Sequence, residues 1–258
     1  MITQNEMNIL VPEKLQEIEK EYGLKVLWAV ESGSRAWGFA SPDSDFDVRF
    51  IYKRKTEDYL KLDFRRDVFE MPIDDTWDVS GWDLDKTLKL LQKSNPTLYE
   101  WFQSPIVYAS DGFNERVEPL LKECFSEEKM LYHYTGTAVQ TIKNYLKGEK
   151  VKPKKYFYAL RPVLACIWIL SFHTAPPVPF ADLYDSVLPD EMKECVDYLL
   201  DLKINGPEKM LIDPVEELDG FLDRKIREID AYLDSVRGIE RNSWDNLNRF
   251  FAEEINRS

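Results

Sequence analysis

Residues 45–52, Asp-Phe-Asp-Val-Arg-Phe-Ile-Tyr, alternate polar and apolar side chains. A period of two commits the segment to a β-strand with one buried and one wetter face. Phe46, Val48, Phe50 and Tyr52 point one way, while Asp45, Asp47 and Arg49 point the other. Just upstream, the β-rich apolar run 22–32 is too short for a typical helix and reads as a buried strand ending at Gly33-Ser34. A glycine there lets the backbone turn closely enough for its N–H groups to face a phosphate. The loop then returns the chain to a neighbouring strand, where Asp45 and Asp47 share a face.

Three familiar phosphate or metal motifs fail residue by residue. Gly33 to Gly38 has the spacing of a P-loop, but Phe39 and Ala40 stand where Lys and Ser/Thr are needed. Arg35 occupies the second glycine of a dinucleotide fingerprint. Asp43, Asp45 and Asp47 begin like a calcium loop, yet Val48 replaces its turn glycine and Arg54 its terminal Glu. What remains is a carboxylate pair suited to Mg²⁺, which favours one or two carboxylates with water and substrate phosphate oxygens. A third carboxylate would complete a two-metal site with ions about 4 Å apart. Asp78, on the strand-like segment 76–82, is the candidate; Asp74 and Asp75 are alternatives, and a helix-capping role accounts for Asp83.

Along the chain the first 110 residues mix strands and helices, and the pattern then turns helical. Asp83 caps a helix with Leu84, Leu88 and Leu91 on one stripe, and Asn95-Pro96 opens the next. Ser126 starts a helix running to Lys147, and 154–172 forms another, apolar nearly all round and kinked at Pro162. Asp190, Asp213-Pro214 and Ser243 start three more. The expectation is an α+β chain: a mixed-sheet domain over 1–110, then a helical domain over 111–258.

Composition narrows the function. Apolar residues make up 44% and charged residues 31% of the 258, enough for a core. No uninterrupted apolar run approaches the roughly 20 residues that span a bilayer, and the N-terminus has no signal-peptide pattern. Three unpaired-looking cysteines suggest reduced thiols and a cytoplasmic setting. A net charge of −13 argues against an extended nucleic-acid groove. One stretch departs from that average: residues 143–161 hold seven Lys or Arg against the single acid Glu149. Alone, this stretch reads as a solvated helical corner.

The segments GSRAWGFASPDSDFDVRFIY, DVSGWDLDKTLKLLQKSNPTLYEWFQSPIVY and KKYFYALRPVLA resemble the predicted nucleotidyltransferases of the DNA polymerase β-like superfamily, including RNA-ligase-associated members implicated in RNA repair. The resemblance covers about residues 25–165 and maps the superfamily's Gly-Ser and Asp-x-Asp onto Gly33-Ser34 and Asp45-Phe46-Asp47, with Asp78 as third acid. It implies an NTP held over Gly33 and Ser34, with Mg²⁺ (or Mn²⁺) on Asp45, Asp47 and Asp78. Attack at the α-phosphorus would release pyrophosphate, with Asp78 assisting deprotonation of the acceptor hydroxyl. An RNA 3′ end is the implied acceptor; a small molecule or a protein side chain is the alternative, and a non-catalytic nucleotide sensor is the competing class. Arg35 is a candidate phosphate contact or structural ion pair. With this resemblance, Lys154, Lys155, Tyr158 and Arg161, on partly shared faces of one helix, become candidate nucleotide-binding residues. Lys86 and Lys93 are secondary candidates. Trp37 is read either as a loop anchor or as a base-stacking platform.

Overall fold

A computed structural model describes residues 3–41, 44–71, 77–207, 209–236 and 243–257. Its centre is strand β2 (Phe46–Lys53), which alternates buried and half-buried residues over its first half and is buried throughout its second. On one side β2 pairs antiparallel with β1 (Lys25–Glu31), and on the other it runs parallel to β4 (Trp77–Asp83). The short strands β3 (Val68–Glu70) and β5 (Val107–Ser110) complete the five-stranded mixed order β3-β4-β2-β1-β5. The apolar side chains of β2 face a helix that the sequence reading did not anticipate. Helix α1 (Gln4–Tyr22) lays Met7, Val11, Leu15 and Ile18 against Phe46, Val48, Phe50, Tyr52 and Val79. Each such side chain contributes about 1.5–3 kcal/mol on burial. Thr3 and Glu6 begin α1 with a reciprocal capping box.

The polar side of the sheet is built by short elements: α2 (Gly33–Ala36) between β1 and β2, and α3 (Thr56–Tyr59) after β2. Then α4 (Leu84–Gln92), capped by the buried Asp83, and α5 (Pro96–Phe102), capped by Asn95, lead to α6 (Phe113–Cys124). Both caps stand where the sequence places them.

The chain divides into two compact units, Met1–Ala36 with Asp43–Cys124 and Arg241–Ser258, and Trp37–Pro42 with Phe125–Glu240. The expected break at residue 110 therefore moves to 124, and the C-terminal helix α12 (Asp245–Asn256) rejoins the sheet unit. The physical reason is Glu254, which is 1% exposed. Its carboxylate accepts from Arg116 Nε at 2.7 Å and Nη2 at 2.9 Å, while its carbonyl accepts from Lys53 Nζ at 2.8 Å. A residue near the end of the chain thereby locks onto β2 and α6.

The second unit packs α7 (Glu127–Tyr145), α8 (Pro153–Phe172), α9 (Phe180–Val187), α10 (Asp190–Asn205) and α11 (Glu216–Ser235) around one core. Helix α8 continues through Pro162. It does have the length and mean hydropathy of a bilayer span, contrary to the reading from uninterrupted runs, but 61% of that window is buried. Packing against α7, α9 and α10 accounts for its apolar surface.

Replacing Glu254 with Ala strands Arg116 with Asp111 as its remaining ion-pair partner. The expected cost is about 2 kcal/mol, below the usual loss for a broken buried pair because Asp111 remains. Urea unfolding measures it, and a loss under about 0.5 kcal/mol would mean that α12 is held by its apolar face alone.

Candidate active site

Strand β1 ends at Glu31, and the chain turns at Gly33 with φ +60°, in the left-handed region that favours glycine. A second constraint acts at the same atom: a Cβ on Gly33 would lie 2.1 Å from Asp47 Oδ2. The Asp47 carboxylate is packed against bare glycine backbone. The main chain fixes it from both sides, since Ser32 N–H donates to Asp47 O at 2.8 Å and Asp47 N–H donates to Glu31 Oε1 at 2.7 Å. The Gly-Ser turn and the Asp-x-Asp strand are thus one structural object.

Arg35 holds the approach to β2. Its Nη2 donates to Ser44 O at 2.6 Å and its Nε to Asp45 O at 3.2 Å, and the guanidinium lies 3.6 Å from the centre of the Phe46 ring. Those contacts position the exposed Asp45 through the backbone.

Asp78 stands directly beside Asp47 in the parallel β2–β4 register. Between them lies Arg49, whose Nη2 donates to Asp47 Oδ1 at 2.9 Å and to Asp78 Oδ2 at 2.7 Å, and whose Nη1 donates to Asp78 O at 2.8 Å. Burial pushes the Asp47 carboxyl above its ordinary range; the Arg49 charge opposes the rise, and the negative charges of Asp78 and Asp45 add to it. Among the described residues, no group of three or more His, Cys, Asp or Glu side chains is disposed to hold a metal as it stands. The donor chemistry nevertheless fits a hard cation: two facing carboxylates, with a third two residues upstream. Such a cation would take the place that Arg49 Nη2 now fills. Asp74 and Asp75 lie outside the described residues.

Glu31 was not legible as a site residue. It closes an otherwise apolar strand, is fully buried, and accepts from Tyr108 Oη as well as Asp47 N–H. Burial raises its pKa to about 7, against the lowering effect of those two donors. Gln4 Nε2 donates to Tyr108 Oη at 3.1 Å, extending the chain of contacts to α1. The sequence signal was the acid that ends KVLWAVE, which is weak because strands often end on a charge, as Lys25 does at the other end.

The remaining candidates lie in the helical unit. Lys155 places its ammonium 3.8 Å from the centre of the Tyr145 ring and 5.0 Å from that of Tyr158; Lys154 and Tyr158 are partly exposed. Arg161 is 2% exposed. Its guanidinium donates to Val178 O and lies 4.7 Å from the centre of the Trp37 ring, so these contacts tie it into the interior rather than the partly exposed face of Lys154 and Tyr158. Trp37 packs against that unit's core, as an anchor would. In the sheet unit, Lys86 comes within 3.7 Å of Asp67.

The family model for the RNA repair pathway DNA polymerase beta family matches residues 7–253. The chain belongs to that family. It is also 43% identical over 246 residues, 94% of each chain, to "Uncharacterized protein YcgL" of Bacillus subtilis (strain 168). A nucleotidyltransferase-like protein from Exiguobacterium sibiricum 255-15 is 10% identical, with a TM-score of 0.33 over 87% of this chain and 75% of that one, a likeness too weak to argue from. Membership in the polymerase beta family makes the activity one of nucleotidyltransferase type.

Glu31 gives this family member a pH signature. Its folded pKa of about 7 exceeds its ordinary 4.5, so its contribution to stability is full below pH 4.5 and is lost as pH rises towards 7. In metal-free buffer, the stability of wild type minus that of Glu31→Gln should fall by on the order of 2–3 kcal/mol across that window. A difference that does not change with pH would show that Glu31 ionises in the folded protein as it does in water.

Proposed function

We propose that this chain transfers a nucleoside monophosphate from an NTP to the 3′-hydroxyl of an RNA acceptor, releasing pyrophosphate, in a Mg²⁺-dependent reaction. The observation that carries this reading is the in-register Asp47–Asp78 pair, with Asp45 two residues ahead and the Asp47 carboxylate seated on Gly33. Mg²⁺, or Mn²⁺ in its place, bound by Asp45, Asp47 and Asp78, would acidify the acceptor hydroxyl and offset charge on the departing pyrophosphate. The acceptor oxygen forms the new bond to the α-phosphorus, and the bond to the β-phosphate bridging oxygen breaks. Asp78 takes the hydroxyl proton. Gly33 and Ser34 supply backbone for the phosphates, as the family resemblance implies. Glu31 and Arg35 touch none of the reacting atoms; they fix Asp47 through its N–H and Asp45 through its carbonyl. A cation held by the two carboxylates would displace Arg49 and leave its guanidinium for a phosphate oxygen. Lys154, Lys155 and Tyr158 remain proposed nucleotide contacts, while Arg161 serves the core.

A second reading has one observation in its favour. Arg49 already neutralises Asp47 and Asp78, as it would in a nucleotide sensor that needs no metal. Such a module would bind NTP equally well in EDTA.

Transfer of label from each α-³²P NTP to a short RNA with a free 3′-hydroxyl decides between them. Wild type should label the RNA only with Mg²⁺ or Mn²⁺, and Asp47→Asn should lower the rate by about 10²- to 10³-fold or more. Metal-independent nucleotide binding without labelling, unchanged in Asp47→Asn, would establish the sensor; label on a small molecule or protein would move the acceptor.

A further inference from the structure

The helical unit carries a cavity of about 430 Å³ that the catalytic reading leaves largely unused. Five lysines line it: Lys143 near the end of α7, Lys147 and Lys150 in the following turn, Lys152, and Lys155 in the first turn of α8. The turn is fixed. Val151 is 1% exposed and exchanges two backbone hydrogen bonds of 2.9 Å with Ile212, and the buried Leu146 secures the other end. The lysines therefore share a defined concavity.

Two features make that concavity costly as it stands. The first turn of α8 has no acidic residue, and Lys152, Lys154 and Lys155 cluster at its N-terminus, where the helix dipole favours negative charge. Burial and then the charges of Lys154 and Lys152 lower the Lys155 pKa, the mark of an ammonium held among like charges. Among the described residues, Lys150 alone of the five forms an ion pair within 4 Å, with Asp213 at 2.7 Å, while Asp219 feels the charge of Lys147. Both of those side chains are largely exposed, so the pair holds by no more than about 1 kcal/mol and yields readily to another anion. A chain of net charge −13 has concentrated positive charge here, and a polyanion would relieve it.

We propose that this basin binds the phosphodiester backbone of a single RNA strand, the acceptor of the transfer proposed above; the assignment of the strand as acceptor rests on that reading. Lys155 is shared with the proposed nucleotide contacts, and the four other ammonium groups suit successive phosphates along a strand better than one triphosphate. Lysine, lacking the guanidinium fork, binds phosphate as a point charge and without sequence preference. Tyr145 lies at the rim, 49% exposed, with Lys155 against its ring, and offers a stacking surface for one base.

The test is fluorescence anisotropy of a 5′-labelled single-stranded 12-nucleotide RNA, titrated with the full chain at several KCl concentrations. Wild type should show a log–log salt slope of about −3, as expected for four or five phosphate contacts on a single strand. Lys147→Glu/Lys152→Glu should weaken binding at least about tenfold and flatten the slope, with Lys147→Gln/Lys152→Gln intermediate. Unchanged thermal melting would exclude unfolding as the cause. Lysine-dependent RNA binding by wild type without label transfer would sink the catalytic reading and leave the basin standing. RNA affinity unchanged in both lysine variants would overturn the proposal. So would displacement of the RNA by inorganic tripolyphosphate at equal phosphate concentration, which would assign the basin to a free triphosphate, or lysine-dependent binding to phosphatidylserine vesicles with none to RNA.

Discussion

The polar face of this sheet depends on one contact, the Asp47 carboxylate lying on the backbone of Gly33. Position 33 favours glycine on two counts: the turn has positive φ, and a Cβ would lie 2.1 Å from Oδ2. The contact couples the end of β1 to the start of β2 and presents Asp47 beside Asp78. The chain between the Gly-Ser and the Asp-x-Asp leaves the turn and returns to β2. Arg35 completes the return by holding the carbonyls of Ser44 and Asp45.

The site is electrostatically loaded. Asp47 is pushed up by burial and by two neighbouring carboxylates, and Glu31 lies buried behind it. Arg49 is the counterweight, reaching both strands with one nitrogen. Removing it without replacement would leave two partly buried negative charges beside each other, a cost that another cation or a proton on Asp47 would relieve. In the proposed catalytic state the cation between them is a divalent metal; in the structure described it is a guanidinium.

Much of this was readable where a residue's role is set by its near neighbours in sequence. The alternation of β2 put Asp47 and Arg49 on one face, and Asp83 and Asn95 announced the helices they cap. Interactions set by distant parts of the chain were hidden. Arg49 was visibly on the acidic face, yet its bridge to Asp78 depends on β2 and β4 running parallel, which neither strand encodes alone. Arg161 shared a helix with Lys154 and Lys155, but a third-dimensional fact, the packing of Val178 and Trp37 against it, decides that it is interior. Glu254 joins the sheet unit from almost 140 residues beyond Arg116, a pairing no local pattern reveals. Helix α1 is a different case, missed although its signals are local: the Thr3-x-x-Glu6 capping box and the apolar spacing of Met7, Val11, Leu15 and Ile18.

The central claim is that Asp47 and Asp78 exchange Arg49 for a divalent cation when nucleotide binds. Titrating Mn²⁺ into the protein with a non-hydrolysable NTP analogue, and following free Mn²⁺ by electron paramagnetic resonance, measures that exchange directly. The account predicts nucleotide-dependent Mn²⁺ binding by wild type and a loss of at least about tenfold in affinity for Asp78→Asn. Equal Mn²⁺ binding by the two proteins, beyond what the nucleotide alone retains, would contradict it.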